Sequence, residues 1–234
     1  GSVRGIVSAK LGRNYVGIDL RADQIEENRK QGEAILRPGV HEEGAPVGQV
    51  DGKATWIAGD SREIQTLAAG TKADFLLSCP PYAFLERYSD DPADLSTLEY
   101  PAFRDAHAEI IAKAAAMLRP DSFAVWVVGE VRDKAGNYVG FVPDTIRAFE
   151  AAGLRFYNEA ILVNGVGSLA LRAGRFFGPA RKLAKRHQNV LVFVKGDPRK
   201  ATEKIGDVEV RTLEPEPDED PAEDATATGA APSL

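Results

Sequence analysis

Five consecutive residues, Ser78-Cys79-Pro80-Pro81-Tyr82, close the apolar run 73–77. A strand that meets two prolines can neither continue its ladder nor enter a helix at once, so the chain leaves as a stiff loop with an aromatic ring at its tip. Such a loop can hold a flat ring. A Pro-Pro-Tyr run is also a polyproline-type ligand for small adaptor domains, but those sit in disordered, polar surroundings. This one follows a buried-strand pattern inside a globular stretch.

Two carboxylates stand at comparable places. Asp19 ends the strand 15–20, and in an open parallel sheet ligands bind at the carboxyl ends of the strands. A carboxylate there can accept both hydroxyls of a ribose; it can equally cap the helix that follows, with no ligand. Gly59-Asp60-Ser61 follow the next strand and precede a helix, so either Asp60 or Ser61 is a natural N-cap.

A third group is basic. Residues 160–195 contain no acid but include Arg172, Arg175, Arg181, Lys182, Lys185 and Arg186 around Phe176, Phe177, Gly174 and Gly178. Cations mixed with aromatics suit phosphate contact beside an unstacked base, although Arg and Lys flanking a strand are usually only solvated. The net charge of −6 does not oppose such a partner. Seven acids fall after Thr212 with no Lys or Arg among them, and setting them aside leaves the body at +1.

The elements that must position these groups alternate between strand-like and helix-like patterns, as in an α/β protein with a mostly parallel sheet. Helices are predicted over 3–11, 22–32, 62–69, 101–118 and 143–152, with Arg119-Pro120 ending the fourth and Gly153 the fifth. Strands are predicted over 15–20, 55–58, 74–78, 123–128, 156–163 and 190–194. The fourth is continuously apolar, as if buried on both faces. Residues 1–197 form the main domain, 198–213 an extension with an edge strand near 204–213, and 214–234 an acidic tail too poor in apolar residues to order itself.

Composition sets outer bounds. With 234 residues and 44% hydrophobic content the chain can bury a sizeable core. No apolar run approaches the roughly 20 residues of a membrane helix, and we expect a cytoplasmic protein. The lone cysteine, Cys79, excludes an internal disulfide and any multi-cysteine zinc site.

Together these stretches resemble the amino-methylating DNA methyltransferases, in a phage and actinobacterial type. Residues 78–82 resemble motif IV, a polar residue followed by Pro-Pro and an aromatic. Tyr15-Val16-Gly17-Ile18-Asp19-Leu20-Arg21 resembles motif II, Gly1-Ser2-Val3-Arg4-Gly5 the glycine-rich turn of motif I, and Gly59-Asp60-Ser61 motif III. Residues 86–92 and 187–193 look like further stretches of that group. The resemblance implies a Rossmann-like class I methyltransferase sheet, mostly parallel with an antiparallel last strand. It also implies S-adenosylmethionine as cofactor and double-stranded DNA as partner, with no metal. Cofactor residues would be Gly1, Ser2, Asp19, Leu20, Asp60 and Ser61, with Asp60 on the adenine amine and Ser61 as the cap. The catalytic loop would be Ser78, Cys79, Pro80, Pro81 and Tyr82, with the Tyr82 ring stacked on an extruded base, and the basic residues named above would contact DNA.

Two departures from the family pattern matter. Cys79 replaces the usual Asp, Asn or Ser before the prolines, so Ser78 or the main chain must take the polar role. The chain also begins inside motif I, so the first strand is expected to be missing and the chain to be a fragment of a longer enzyme. Adenine N6 is favoured over cytosine N4 as target. The alternatives are a cytosine C5 methyltransferase using Cys79 as nucleophile, and a binding module that keeps the fold and DNA surface without turnover.

Overall fold

The computed structural model describes residues 2–36, 52–165, 167 and 169–208. In chain order its elements are α1 Ser2–Lys10, β1 Tyr15–Asp19, α2 Ala22–Ile35, β2 Ala54–Ala58, α3 Ile64–Leu67, β3 Ala73–Ser78, α4 Tyr100–Met117, β4 Leu118–Val128, α5 Phe141–Ala151, β5 Arg155–Val163, α6 Leu169–Ala180, β6 His187–Lys195 and α7 Pro198–Ile205. Residues 1–204 form one compact unit and 205–234 another, of which 205–208 are described.

The strands fall into two groups. β1 and β2 pair in parallel, Asp19 opposite Ala58. The other four run in the order β3-β4-β6-β5, with β3 parallel to β4 and β6 antiparallel to both its neighbours. The antiparallel last strand agrees with expectation. β1 and β3 each pair on one side only among the described residues. Val16, Phe75 and Leu77 on those two strands are exposed.

α4 shows why the larger group is solid. Pro101 sits in its first turn, where a missing N–H costs nothing. Phe103, His107, Ile110, Ile111, Ala114, Ala115 and Met117 recur at three- and four-residue spacing and form one buried stripe. Phe103, Ile111 and Ala115 of that stripe form one cluster with Phe141 and Phe149 of α5, with Ala124, Trp126 and Val128 of β4 and with Leu191 and Phe193 of β6. Phe149 stacks on Phe193 at 4.0 Å between ring centroids. The smaller group holds only Ile6, Ile25 and Trp56 as a buried cluster. There Trp56 lies so close to Gly5 of α1 and Gly32 of α2 that a Cβ on either would come within about 2.6 Å of the indole.

Four expectations need correction. β4 starts at Leu118 and not at 123: α4 ends at Met117, just before Arg119-Pro120 as expected, but that pair lies inside the strand. The regular ladder with β3 nonetheless starts at Phe123, since the register jumps from Ala73–Leu118 to Phe75–Phe123 across an irregular stretch holding Asp121 at φ 53°. β4 is not buried on both faces: Ala124, Trp126 and Val128 are buried, whereas Phe123, Val125 and Val127 are half-buried. The helix predicted over 62–69 is a 3-10 turn, Ser61–Glu63, followed by the short α3. Lys204 and Ile205 belong to helix α7, not to an edge strand, and 209–213 lie outside the described residues, as does the acidic tail.

Candidate active site at the carboxyl ends of the strands

β3 delivers Ser78 opposite Trp126 of β4, and the chain then leaves through Cys79, Pro80 and Pro81. Pro80 and Pro81 carry no N–H, so this segment presents carbonyl acceptors with two donors removed. Ser78 is half-buried and its hydroxyl has no hydrogen-bond partner among the described residues. Cys79 is exposed, its Sγ 3.7 Å from the Tyr82 hydroxyl.

Tyr82 does not hang free at the loop tip. Its hydroxyl donates to Gln188 Oε1 at 3.1 Å and lies 3.5 Å from the Val127 carbonyl oxygen. Its ring meets Phe141 edge-on at 5.9 Å, and Gly129 lies against it so closely that a Cβ there would stand 3.2 Å from the ring. Burial, and then the neighbouring Cys79, push the phenol well above its ordinary range, so it stays a neutral donor. The next residue, Ala83, is fully buried with φ 50°, a backbone region that costs a non-glycine residue roughly 1 kcal/mol. Core packing therefore fixes both the ring and the turn behind it.

Asp19 ends β1 half-buried. Its Oδ1 accepts from the Arg21 backbone N–H at 3.0 Å, and Oδ2 has no partner among the described residues. Asp60 follows β2 and is more fully engaged. Its Oδ1 accepts from the Arg62 N–H and its Oδ2 from Arg62 Nε, both at 2.8 Å, with Arg62 Nη2 at 2.6 Å. Burial raises this carboxyl, but the Arg62 hydrogen bonds outweigh it and the net shift is down. Asp60, not Ser61, is thus the cap of the turn; Ser61 is its first residue. Ser2 is buried and donates to Gln31 Oε1 at 2.5 Å, so its side chain is spent on α2. Gly1 lies outside the described residues, and Leu20 is half-buried beside Asp19.

The loop after Tyr82 ties these strand ends together. Arg62 Nη2 reaches the Ala93 carbonyl oxygen at 3.5 Å, and Arg21 adds favourable charge to Asp94. Asp94 is buried, which raises its carboxyl, but bonds from Ser89 and Ser96 win and hold it low. Asp19, Asp60 and the Pro-Pro loop accordingly share one end of the molecule.

The basic segment is less uniform than its sequence. Arg175 is exposed on α6 and Arg172 lies in the same helix. Arg181 sits in the left-handed region at φ 54°, where its backbone N–H reaches the Phe177 carbonyl and its guanidinium donates to the Phe177 and Gly178 carbonyls. It terminates α6. Lys182 stands over Gly136. Burial pushes the Lys185 ammonium down, with the Glu130 charge acting the other way. Arg186 Nε is buried without a hydrogen-bond partner among the described residues.

Gln188, Gly129 and Glu130 escaped the sequence reading as site residues. Gly129-Glu130 repeats at the end of β4 the strand-to-turn layout that exposed Asp19 and Asp60, and that signal could have found it. Glu130 accepts from the Val142 backbone N–H at 3.2 Å. Nothing local marks Gln188, because its contact with Tyr82 spans 106 residues.

No family model and no curated protein matches the chain. Among solved structures, a SAM-dependent methyltransferase from Methanosarcina mazei is similar over 84% of this chain and 89% of its own, at 14% identity and a TM-score of 0.50. The fold is that of a Rossmann-like methyltransferase. TTHA0409 from Thermus thermophilus, provisionally named a DNA modification methylase and solved with S-adenosyl-L-methionine, is 19% identical over 59% of this chain, with a TM-score of 0.43. The chain spans about half the length of that protein, 54%.

This methyltransferase fold offers a direct test of fit for a nucleoside cofactor. The uncommitted Oδ2 of Asp19 fits a ribose hydroxyl. Asp60 already takes three donors, and a carboxylate has about four lone-pair sites, which leaves room for one further N–H. Among the described residues no group of His, Cys, Asp and Glu could hold a metal ion. No described helix is long and apolar enough to cross a membrane.

Proposed function

We propose that this chain is an S-adenosylmethionine-dependent DNA methyltransferase that acts on an exocyclic amine of a base flipped out of double-stranded DNA, adenine N6 ahead of cytosine N4. The observation that carries this reading is the Ser-Cys-Pro-Pro-Tyr loop at the carboxyl end of β3, with Tyr82 pinned to Gln188 and Asp19 at the same end of the molecule. When bound, S-adenosylmethionine supplies an electrophilic methyl group.

Asp19 Oδ2 holds the ribose, and Asp60 has one acceptor position left for the adenine amine. Leu20 and the backbone of Ser2 would complete the cofactor side; Gly1 lies outside the described residues. An exocyclic amine is a poor nucleophile because its lone pair is delocalised into the ring. The Cys79 carbonyl and the Ser78 hydroxyl accept its two N–H bonds and draw the nitrogen toward tetrahedral geometry, while Tyr82 holds the ring in place. With the amine held this way its nitrogen would turn a localised lone pair toward the methyl group, and the surplus N–H proton would pass to solvent at the exposed side of the loop by Cys79. Arg172, Arg175, Arg181, Lys182, Lys185 and Arg186 would supply the cations that meet phosphates.

The test is incubation with labelled S-adenosylmethionine and unmethylated DNA, followed by nucleoside mass spectrometry. N6-methyladenine is expected. C5-methylcytosine would transfer the role to Cys79 as nucleophile, and the absence of any methylated nucleoside would overturn the reading in favour of a scaffold without turnover.

A further inference from the structure

Residues 131–139 form a hairpin immediately beyond the candidate active site. Arg132 and Tyr138 pair across it, Val139 N–H bonds to the Val131 carbonyl, and Asp133 braces the turn by accepting from Asn137 and Gly136. Gly136 takes φ 93°, a conformation suited to glycine, and Lys182 covers it. Two residues separate Arg132 from Gly129, which touches the Tyr82 ring, so at most about 10 Å of chain lies between them.

Hairpin and basic segment together enclose a cleft of about 610 Å³ lined by Arg132, Gly136, Tyr138, Arg181 and Lys182. The Arg132 guanidinium lies over the Tyr138 ring at 3.8 Å, and Nη1 donates to the Gly136 carbonyl at 2.7 Å. Its Nε and Nη2 have no partner among the described residues. Tyr138 is 48% exposed although an arginine covers one of its faces. A fixed cation beside an open aromatic face, with a second cation across the cleft, combines what an unstacked nucleotide needs: charge for its phosphate and a platform for its base.

We propose that this cleft binds an unpaired nucleotide of a nucleic-acid strand, its phosphate on Arg132 and Lys182 and its base stacked on the open face of Tyr138. The inference rests on the DNA methyltransferase reading for the identity of the polymer. It adds a site outside the Pro-Pro loop that receives the strand next to the flipped base.

The experiment is titration of the full chain with a labelled single-stranded oligodeoxynucleotide of about ten nucleotides, read by fluorescence anisotropy at several salt concentrations. Tyr138→Ala should weaken binding by about 5- to 150-fold, the value of one base–aromatic stack, whereas Tyr138→Phe keeps the ring and the wild-type affinity. Arg132→Gln with Lys182→Gln should lower the slope of log affinity against log salt by about 0.7 for the one phosphate that is no longer neutralised. Unchanged affinity in a folded Tyr138→Ala protein overturns the proposal, and so does a wild-type chain that does not bind the oligonucleotide. Methylated DNA alongside an unaffected Tyr138→Ala protein sinks the cleft and leaves the reaction standing. Ring-dependent binding without any methylated nucleoside does the reverse.

Discussion

The two tryptophans of this chain sit in its two strand groups and fare differently. Trp126, in β4, donates its indole N–H to His107 Nε2 at 3.0 Å and packs edge-on against Phe149. Trp56, in β2, is equally buried, yet its indole N–H has no hydrogen-bond partner among the described residues. A buried donor left unpaired costs about 1–3 kcal/mol. Among the described residues the β4 group also buries fourteen in its cluster against three around Trp56, so their contributions to stability should differ. Asp19 and Asp60 stand on the weaker half and the Pro-Pro loop on the stronger one. If Asp19 and Asp60 hold the cofactor as proposed, a bound cofactor should stabilise the weaker half.

The hardest blow to this comparison would come from truncating the larger core. Phe149→Ala should cost about 3–5 kcal/mol in denaturant unfolding and expose amides throughout β4 and β6. Trp56→Ala should instead accelerate amide hydrogen exchange in β1 and β2 while β4 and β6 keep their protection. Equal exchange in both groups after Trp56→Ala would make the chain a single cooperative unit and erase the distinction.

His107 sharpens the same contrast through pH. Burial lowers its pKa to about 4, below an unfolded value near 6.5, so between these limits the unfolded chain binds the extra proton. Stability should be full above about pH 6.5 and fall as pH drops toward 4, by on the order of 3 kcal/mol in total. His107→Gln should flatten that slope. A wild-type profile that stays level across this window would mean that the imidazole protonates within the fold.

Smaller effects probe the site itself. Asp19→Ala should weaken S-adenosylmethionine binding by about 1–3 kcal/mol in calorimetry, and in the wild type the cofactor should slow amide exchange in β1 and β2 more than in β4. Unchanged affinity would remove Asp19 from the cofactor side. Tyr82→Phe, which loses the hydroxyl's bond to Gln188 and its longer contacts with the Val127 carbonyl and Cys79, should cost about 1 kcal/mol of stability and leave cofactor affinity as it was. A loss of cofactor binding in that variant would join the two halves that the comparison separates.

Much of the architecture is legible in the residues. Alternating patterns place each strand within a few positions because apolar period and turn chemistry are local properties. Pro101, Gly12 and Gly153 mark helix ends for equally local reasons. The continuously apolar β4 misled on burial, since apolarity records what a strand can bury and not what lies against it. Asp60 and Ser61 were interchangeable as caps until backbone geometry chose Asp60.

The sequence alone determined the strand ends where chemistry can occur, because a strand followed by Asp or by Pro-Pro carries its consequence within a few residues of chain. Tertiary structure alone decided which partners those ends meet. Tyr82 reaches Gln188 across 106 residues, Arg62 reaches Ala93 across 31, and Lys182 comes to stand over Gly136. Such contacts depend on strand order and on the packing of α4 and α5, which no local pattern encodes. That is also why one basic stretch separates into Arg181, used to end a helix, and Lys182, turned toward the Arg132 hairpin.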